Sequence, residues 1–142
     1  MLNQIMKSLA NTLEVRAFTP NENGIYEIEV DQFNVEVKQH SSWILWETEL
    51  PFHFDKDLDY QSEQMLKRCM QLSLKTVRDG QGTLTLNKEQ RLVLQGKAPF
   101  DQMSPVLFPS LLSQHVNLCE YYSEILEHER VNRAINHTVW LP

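Results

Sequence analysis

The stretch at residues 24–50 reads GIYEIEVDQFNVEVKQHSSWILWETEL, and its alternation of apolar and polar side chains decides the fold. Apolar residues alternate with glutamates in 24–30 and with polar residues in 33–38, whereas 43–50 begins apolar on both sides. A period of two is typical of strands with one buried face and one wet face, so the stretch predicts three strands. Because their connections are short, we expect these strands to be antiparallel.

Helices are predicted before and after these strands. Apolar residues recur with helical spacing over about 2–15 and again over 60–78, where Asp59 suits the N-cap position. Further elements follow in the second half of the chain: short strands at 83–86 and 91–95, and a last helix that begins at Ser104 or Phe108 and runs to about Arg130. The order α-β-β-β-α-β-β-α predicts an α+β fold in which helices cover a twisted antiparallel sheet.

The chain length predicts a single domain. Its 142 residues fit one unit, 1–142, that ends in a tail at 131–142. The tail closes with Val139, Trp140 and Leu141. Apolar side chains are unfavourable in water, so we expect the tail to dock on a surface.

The charge balance argues against several kinds of partner. The net formal charge is -6, and the 13 Lys and Arg residues are scattered, whereas nucleic-acid binders cluster them to displace counterions. We therefore expect no nucleic-acid partner. Since no stretch approaches the ~20 apolar residues of a membrane span, we also expect no membrane insertion and a cytoplasmic location. Cys69 and Cys119 lie among apolar residues of predicted helices, which favours reduced core thiols.

The sequence offers no catalytic, metal or cofactor site. Its histidines lack the spacing of metal ligands, and phosphate loops, dinucleotide fingerprints and nucleophile elbows are absent. The glutamates of the predicted strands fall on the wet side, which indicates a solvated face. An alternative stays open, namely a small acyl-thioester hydrolase of hotdog type, for which Glu63 is the candidate carboxylate at a helix start.

Large apolar residues are the most informative feature of the composition. Five Met, three Trp and six Phe occur in a small chain, and the second predicted helix is apolar over more than one stripe. Small proteins bury such surface by dimerising or by binding a partner, and Met suits adaptable binding surfaces. We therefore predict a protein that is not an enzyme and that holds another protein.

Several segments resemble one known family. The opening LNQIMKSLA at 2–10 resembles the first helix of the class I type III secretion chaperones, the CesT/SycE-like family. Residues 24–31 resemble their first strand, and 84–86 and 92–94 resemble their fourth and fifth. Element order, size and acidic charge extend the resemblance to about Arg130. Within the family, these segments look most like the YscB-type chaperone, which serves a secretion gatekeeper.

The resemblance implies a bacterial cytoplasmic chaperone that binds the N-terminal region of a secreted effector or gatekeeper and keeps it export-competent without ATP hydrolysis. It also implies a homodimer, or a heterodimer with a second small chaperone. The family's client contacts map onto Ile5, Leu9, Leu13, Phe33, Val35 and Val37. Its dimer contacts map onto Met65, Leu66, Cys69, Met70, Leu72, Leu84, Leu86, Leu92 and Leu94. A structural adaptor of the same fold remains a further alternative.

Overall fold

The computed structural model describes residues 2–54, 57, 59–78 and 82–139, which form the predicted α+β arrangement. In chain order its elements are α1 (Leu2–Leu13), β1 (Tyr26–Val30), β2 (Phe33–His40), β3 (Trp43–His53), α2 (Tyr60–Arg78), β4 (Thr83–Leu86), β5 (Arg91–Pro99), a short 3-10 turn (Phe100–Gln102) and α3 (Leu107–Val139). The predicted order is therefore confirmed, and the second helix and fourth strand have the predicted bounds.

The five strands form one antiparallel sheet in the order β1-β2-β3-β5-β4. Two-residue turns join the first three strands, and the first residue of each turn, Asp31 or Ser41, has a φ of 55°. Short polar side chains tolerate this left-handed region better than apolar ones do. β1 and β4 lie at the two edges, so each pairs with only one other strand of the sheet.

One face of the sheet carries the hydrophobic core, as the alternation predicts. The strand residues of that core are Tyr26, Ile28, Phe33, Val35, Val37, Ile44, Trp46, Leu50, Phe52, Leu92 and Leu94. The helices cover them with Leu2, Ile5, Met6 and Leu9 of α1, with Met65 and Cys69 of α2, and with a stripe along α3. Burying each large apolar side chain contributes about 1.5–3 kcal/mol, so this cluster supplies most of the driving force for folding.

Trp46 is packed between the sheet and α3. Its indole lies directly over the backbone of Gly96, the residue opposite it on β5, and a Cβ at Gly96 would lie 2.2 Å from the indole nitrogen. The indole meets the ring of Phe108 edge to face, with centroids 6.1 Å apart. Any side chain at Gly96 would displace the indole, which explains why glycine stands in a strand here.

Helix α3 begins at Leu107, between the two predicted starts, and Ser104 caps the turn that leads into it. The Ser104 hydroxyl accepts a hydrogen bond of 3.0 Å from the Leu107 N–H, and the Ser104 carbonyl accepts one from Phe108. The helix continues to Val139 and not only to Arg130, so most of the predicted tail is helical. Trp140–Pro142, and with them the predicted docking of the tail, lie outside the described residues.

Four further elements end at residues other than the predicted ones. Helix α1 stops at Leu13 because Glu14 takes a left-handed φ of 55° and the Val15 N–H turns back to the Ala10 carbonyl. β2 runs two residues past Lys38. β3 and β5 extend past the predicted 50 and 95 because their ends pair with each other, from Trp43↔Pro99 to His53↔Arg91. In the part of the chain that the structure describes, no helix has both the length and the apolar content to cross a bilayer.

Candidate functional site

An exposed apolar strip runs along α2. Met70 is 66% exposed and Leu74 is 72% exposed, and the half-buried Leu66 lies one turn before them on the same helix face. The strip adjoins β4, because the Leu84 N–H donates a hydrogen bond of 3.3 Å to Ser73 on α2. We call Leu66, Met70, Leu74, Leu84 and Leu86 the α2–β4 surface. Two apolar side chains about 70% exposed, one turn apart, are typical of a protein-binding surface.

A second exposed apolar pair lies where α1 ends. Leu13 is 49% exposed and Val15 is 51% exposed, on either side of the left-handed Glu14. Phe18, just beyond them, is partly buried against the core. We call Leu13 and Val15 the α1 end. It continues the buried stripe of α1 out to the surface of the protein.

The outer face of the sheet, opposite the helices, is acidic over β1, β2 and β3. Glu27, Glu36 and Glu47 stand opposite one another in a single row across the three strands. Partial burial, and then the charges of Glu47 and Glu27, raise the pKa of Glu36. Like charges in opposite positions are unfavourable, so this row costs stability. Glu47 accepts a hydrogen bond of 3.0 Å from Gln95, which engages one carboxylate of the row.

Three polar side chains meet inside the core, where β3 faces α3. Thr48 Oγ1 and His115 Nε2 share a hydrogen bond of 2.8 Å, and both residues are 1% exposed. Burial lowers the pKa of His115 to about 4. Burial also raises the pKa of Cys119 to about 12, against a smaller opposing effect of its hydrogen bond with Thr48. A histidine and a thiol shifted in these directions remain neutral at pH 7, so the cluster lacks an activated nucleophile.

The predicted client-contact residues lie mainly in the core. Five of the six are at most 6% exposed and belong to the core cluster: Ile5, Leu9, Phe33, Val35 and Val37. Their side chains are therefore not available to a client in this structure. Leu13 is the exception, and its exposed neighbour Val15 was not singled out from sequence because it follows the end of the helical periodicity.

The predicted dimer residues divide in a similar way. Met65, Cys69, Leu92 and Leu94 are buried in the core, Leu66, Leu72, Leu84 and Leu86 are partly buried, and Met70 is exposed. Leu74, the most exposed apolar residue of the α2–β4 surface, is missing from the predicted set, although its position four residues after Met70 could have identified it. The dimer contact itself stays a prediction.

Glu63, the carboxylate required by the hotdog alternative, lies on the exposed side of α2. Its side chain is 50% exposed and lies 3.3 Å from Lys67 in an ion pair along the helix. A catalytic carboxylate needs a site that excludes water, which this position does not provide. Among the described residues, no group of three or more His, Cys, Asp or Glu side chains could hold a metal ion.

The comparisons with known proteins agree with this architecture. A family model described as the Tir chaperone protein (CesT) family matches residues 4–123. No curated protein sequence matches the chain.

Solved structures match over nearly the whole chain. A structure of the HopA1–SchA chaperone–effector complex has a TM-score of 0.72 at 12% identity, covering 87% of this chain and 93% of that one. The type III secretion chaperone SycH of Yersinia pestis, solved with a fragment of YscM2, has a TM-score of 0.61 at 16% identity, and the match covers 87% of this chain and 100% of that one. The ExoU–SpcU complex of Pseudomonas aeruginosa has a TM-score of 0.64 at 12% identity, and the match covers 89% of this chain and 98% of that one. At these identities the likeness establishes the fold.

Proposed function

This chain belongs to the Tir chaperone protein (CesT) family, and from that premise we propose that it is a type III secretion chaperone. It binds the N-terminal region of a secreted effector or gatekeeper protein in the bacterial cytoplasm and keeps that region competent for export. The observation that carries the proposal is the family match over residues 4–123, which includes all five strands. The neighbouring structures support it, since several are complexes of a chaperone with an effector.

The proposed client contact uses exposed backbone and exposed apolar side chains. Among the described residues β1 pairs with β2 alone, so an extended client segment can pair with its other side while the client's side chains fill neighbouring apolar positions. The α1 end offers Leu13 and Val15, each about half exposed. Of the six residues first assigned to the client, Leu13 keeps a direct role, and the other five support the fold beneath the surface.

The proposed dimer contact is the α2–β4 surface. Met70 and Leu74 are exposed one turn apart, and beside them β4 is the edge strand on that side of the sheet that the described residues form. A second small chaperone, identical or different, would cover the exposed apolar side chains and the edge strand β4 at the same time. The finer proposal is a YscB-type chaperone that serves a gatekeeper.

No catalytic step is part of the proposed function. The buried His115 and Cys119 both stay neutral near pH 7, and Glu63 is exposed and paired. Chaperone action of this kind requires only binding, because a bound client segment is prevented from aggregating as long as it is held. We therefore expect client binding to be independent of ATP.

Co-expression with candidate secreted proteins tests the function. A client should co-purify with the chain through its N-terminal segment, and a client that lacks that segment should not. Export of the client should fall when the chain is deleted, which separates a chaperone from a structural adaptor of the same fold. If no secreted protein binds through its N-terminal segment, the proposal is refuted.

A further inference from the structure

Two glutamates of β1 turn their backbone groups away from the rest of the sheet. The pair Val30↔Phe33 closes a two-residue turn, so these two residues exchange both of their backbone hydrogen bonds. In an antiparallel ladder only every second pair does so, and the pairs of Glu27 and Glu29 are of the other kind. The N–H and carbonyl of Glu27 and Glu29 therefore point outwards. We call the outward backbone groups and the side chains of these two residues the acidic edge.

The acidic edge is open in the part of the chain that the structure describes. It begins after Ile25, whose N–H donates a hydrogen bond of 3.0 Å to Asn21 Oδ1 and whose carbonyl accepts one of 2.9 Å from the Asn21 N–H. The side chains of Glu27 and Glu29 are exposed, and among the described residues no group bonds to their outward N–H and carbonyl groups or forms an ion pair with them. The five residues of β1 span about 16 Å, which is room for a short extended segment.

Negative charge accumulates behind the acidic edge on the outer face of the sheet. Glu27 begins a row that continues with Glu36 on β2 and Glu47 on β3. Partial burial and the charges of its two neighbours in the row raise the pKa of Glu36, and Lys38 opposes this shift with a smaller effect. Gln95 donates a hydrogen bond to Glu47, whereas within the described residues Glu27 and Glu36 have no ion pair. A positive side chain opposite Glu27 would extend the row and offset its repulsion.

These charges discriminate between the possible occupants of the acidic edge. A second copy that paired through its own β1 would bring the glutamates of two chains against one another, which is unfavourable. A segment with Lys or Arg opposite Glu27 and Glu29 would be attracted instead, and its basic side chains would share the outer face with them. The residues between the basic ones would turn to the core face, where Val30 is only partly buried and suits an apolar neighbour.

We propose that the acidic edge takes an extended segment of a secreted client in which Lys or Arg alternates with apolar residues. The segment exchanges backbone hydrogen bonds with Glu27 and Glu29, and two of its basic side chains lie opposite the two carboxylates. Backbone pairing accepts any extended segment, so the charges of the acidic edge are what select this one. The inference deepens the proposed chaperone function and rests on it for the identity of the occupant.

The site can be tested without knowing the client. The probe is a blocked seven-residue peptide of alternating valine and lysine, titrated into the full chain. Hydrogen exchange of the Glu27 and Glu29 amides, followed by NMR, should slow about tenfold or more at saturation, because both N–H groups then donate to the peptide.

Charge reversal tests the selection. The double variant Glu27→Lys/Glu29→Lys should bind the probe about tenfold or more weakly, since two attractive pairs become repulsive. The same double variant should bind a valine–glutamate peptide that the wild-type chain rejects, which also shows that the variant is folded. Glu29→Lys alone should weaken the probe about threefold, whereas Glu89→Lys, the same change in the exposed turn between β4 and β5, should leave the affinity unchanged.

Two modified probes separate strand addition from charge attraction. N-methylation of the lysine amides should abolish binding, because these N–H groups face β1 when the lysines lie opposite the two glutamates. N-methylation of the valine amides, which face away, should leave binding intact. Equal binding of the two methylated probes, unchanged exchange at Glu27 and Glu29, or equal affinity of the wild-type chain and the double variant would overturn the proposal.

Client binding then distinguishes this inference from the proposed function. If an identified client binds the wild-type chain and Glu27→Lys/Glu29→Lys with equal affinity, the acidic edge is not its docking site, and the inference fails while the chaperone function stands. If the probe binds but no secreted protein binds the chain, the chaperone function fails, and the assignment of a client to this edge fails with it. Loss of a dimer in the double variant, measured by light scattering, would assign β1 to a second copy and would also overturn the proposal.

Discussion

Replacing His115 by glutamine should remove a large part of the acid sensitivity of this fold. The side chain is 1% exposed, and burial lowers its pKa from 6.5 to about 4. Because the folded state resists protonation, the unfolded chain binds the extra proton, and stability falls as the pH drops from about 6.5 towards 4. Above pH 6.5 both states are neutral and His115 contributes no pH dependence.

The expected size of the effect follows from the two pKa values. With 6.5 in the unfolded chain and about 4 in the folded one, protonation of His115 costs roughly 2 kcal/mol of stability at pH 5 and about 3 kcal/mol well below pH 4. A loss of about 2 kcal/mol moves the urea midpoint by roughly 1 M for a protein of this size. His115→Gln keeps a polar side chain beside Thr48 but cannot take up the proton.

The assay is urea unfolding followed by tryptophan fluorescence at pH 7.5 and pH 5, with protein concentration held constant. Wild type should lose about 2 kcal/mol more than His115→Gln between these two values. His40→Gln, an exposed residue at the end of β2, should follow the wild type. If wild type and His115→Gln lose stability in parallel, His115 is not desolvated as the structure indicates, and the reasoning is refuted.

The remaining predictions concern packing and surfaces. Gly96→Ala should destabilise by about 1–3 kcal/mol through collision with the indole over it, and an unchanged thermal midpoint would contradict that packing. Met70→Glu should leave the monomer folded but shift the mass seen by light scattering from about twice 16.7 kDa to one chain; an unshifted dimer would place the interface elsewhere. Leu9→Asp should unfold the protein, at a cost of roughly 4 kcal/mol or more, because Leu9 is 2% exposed. Leu13→Asp should change stability by less than about 1 kcal/mol yet weaken client binding, and full binding would exclude the α1 end.

Much of the fold could be predicted from sequence because its signals are local. The alternation in 24–50 predicted three strands with the correct buried face, and Asp59 is the N-cap, since its carboxylate accepts a hydrogen bond of 2.7 Å from Ser62. That bond lowers the pKa of Asp59. Ser104 caps α3 in the same way. Such signals depend on neighbours a few residues away, which a single sequence contains.

The element ends that were missed depend on distant residues. Gly96 and Pro99 look like strand breakers, yet β5 includes both because β3 pairs with it from Val93 to Pro99. The left-handed turn at Glu14 gives no signal in sequence, since glycine is the usual residue there. Beyond Arg130 the chain has no glycine or proline until Pro142, so nothing local ends α3 at the predicted position.

The candidate sites were the least predictable part. Leu9 and Leu13 occupy the same helical stripe and have the same side chain, yet one is 2% exposed and the other 49%. Periodicity identifies an apolar face but not the point where the sheet beneath it stops.

The positions of the two cysteines have a practical consequence for following this chaperone at work. Cys69 is 1% exposed and Cys119 is fully buried, with the pKa of its thiol raised to about 12. Thiol-reactive dyes attack the accessible thiolate, so both native cysteines should stay unlabelled in the folded chain. One cysteine introduced at Leu13 or Met70 would therefore carry a fluorophore on a single chosen surface, and energy transfer to a labelled client could report capture and release in real time.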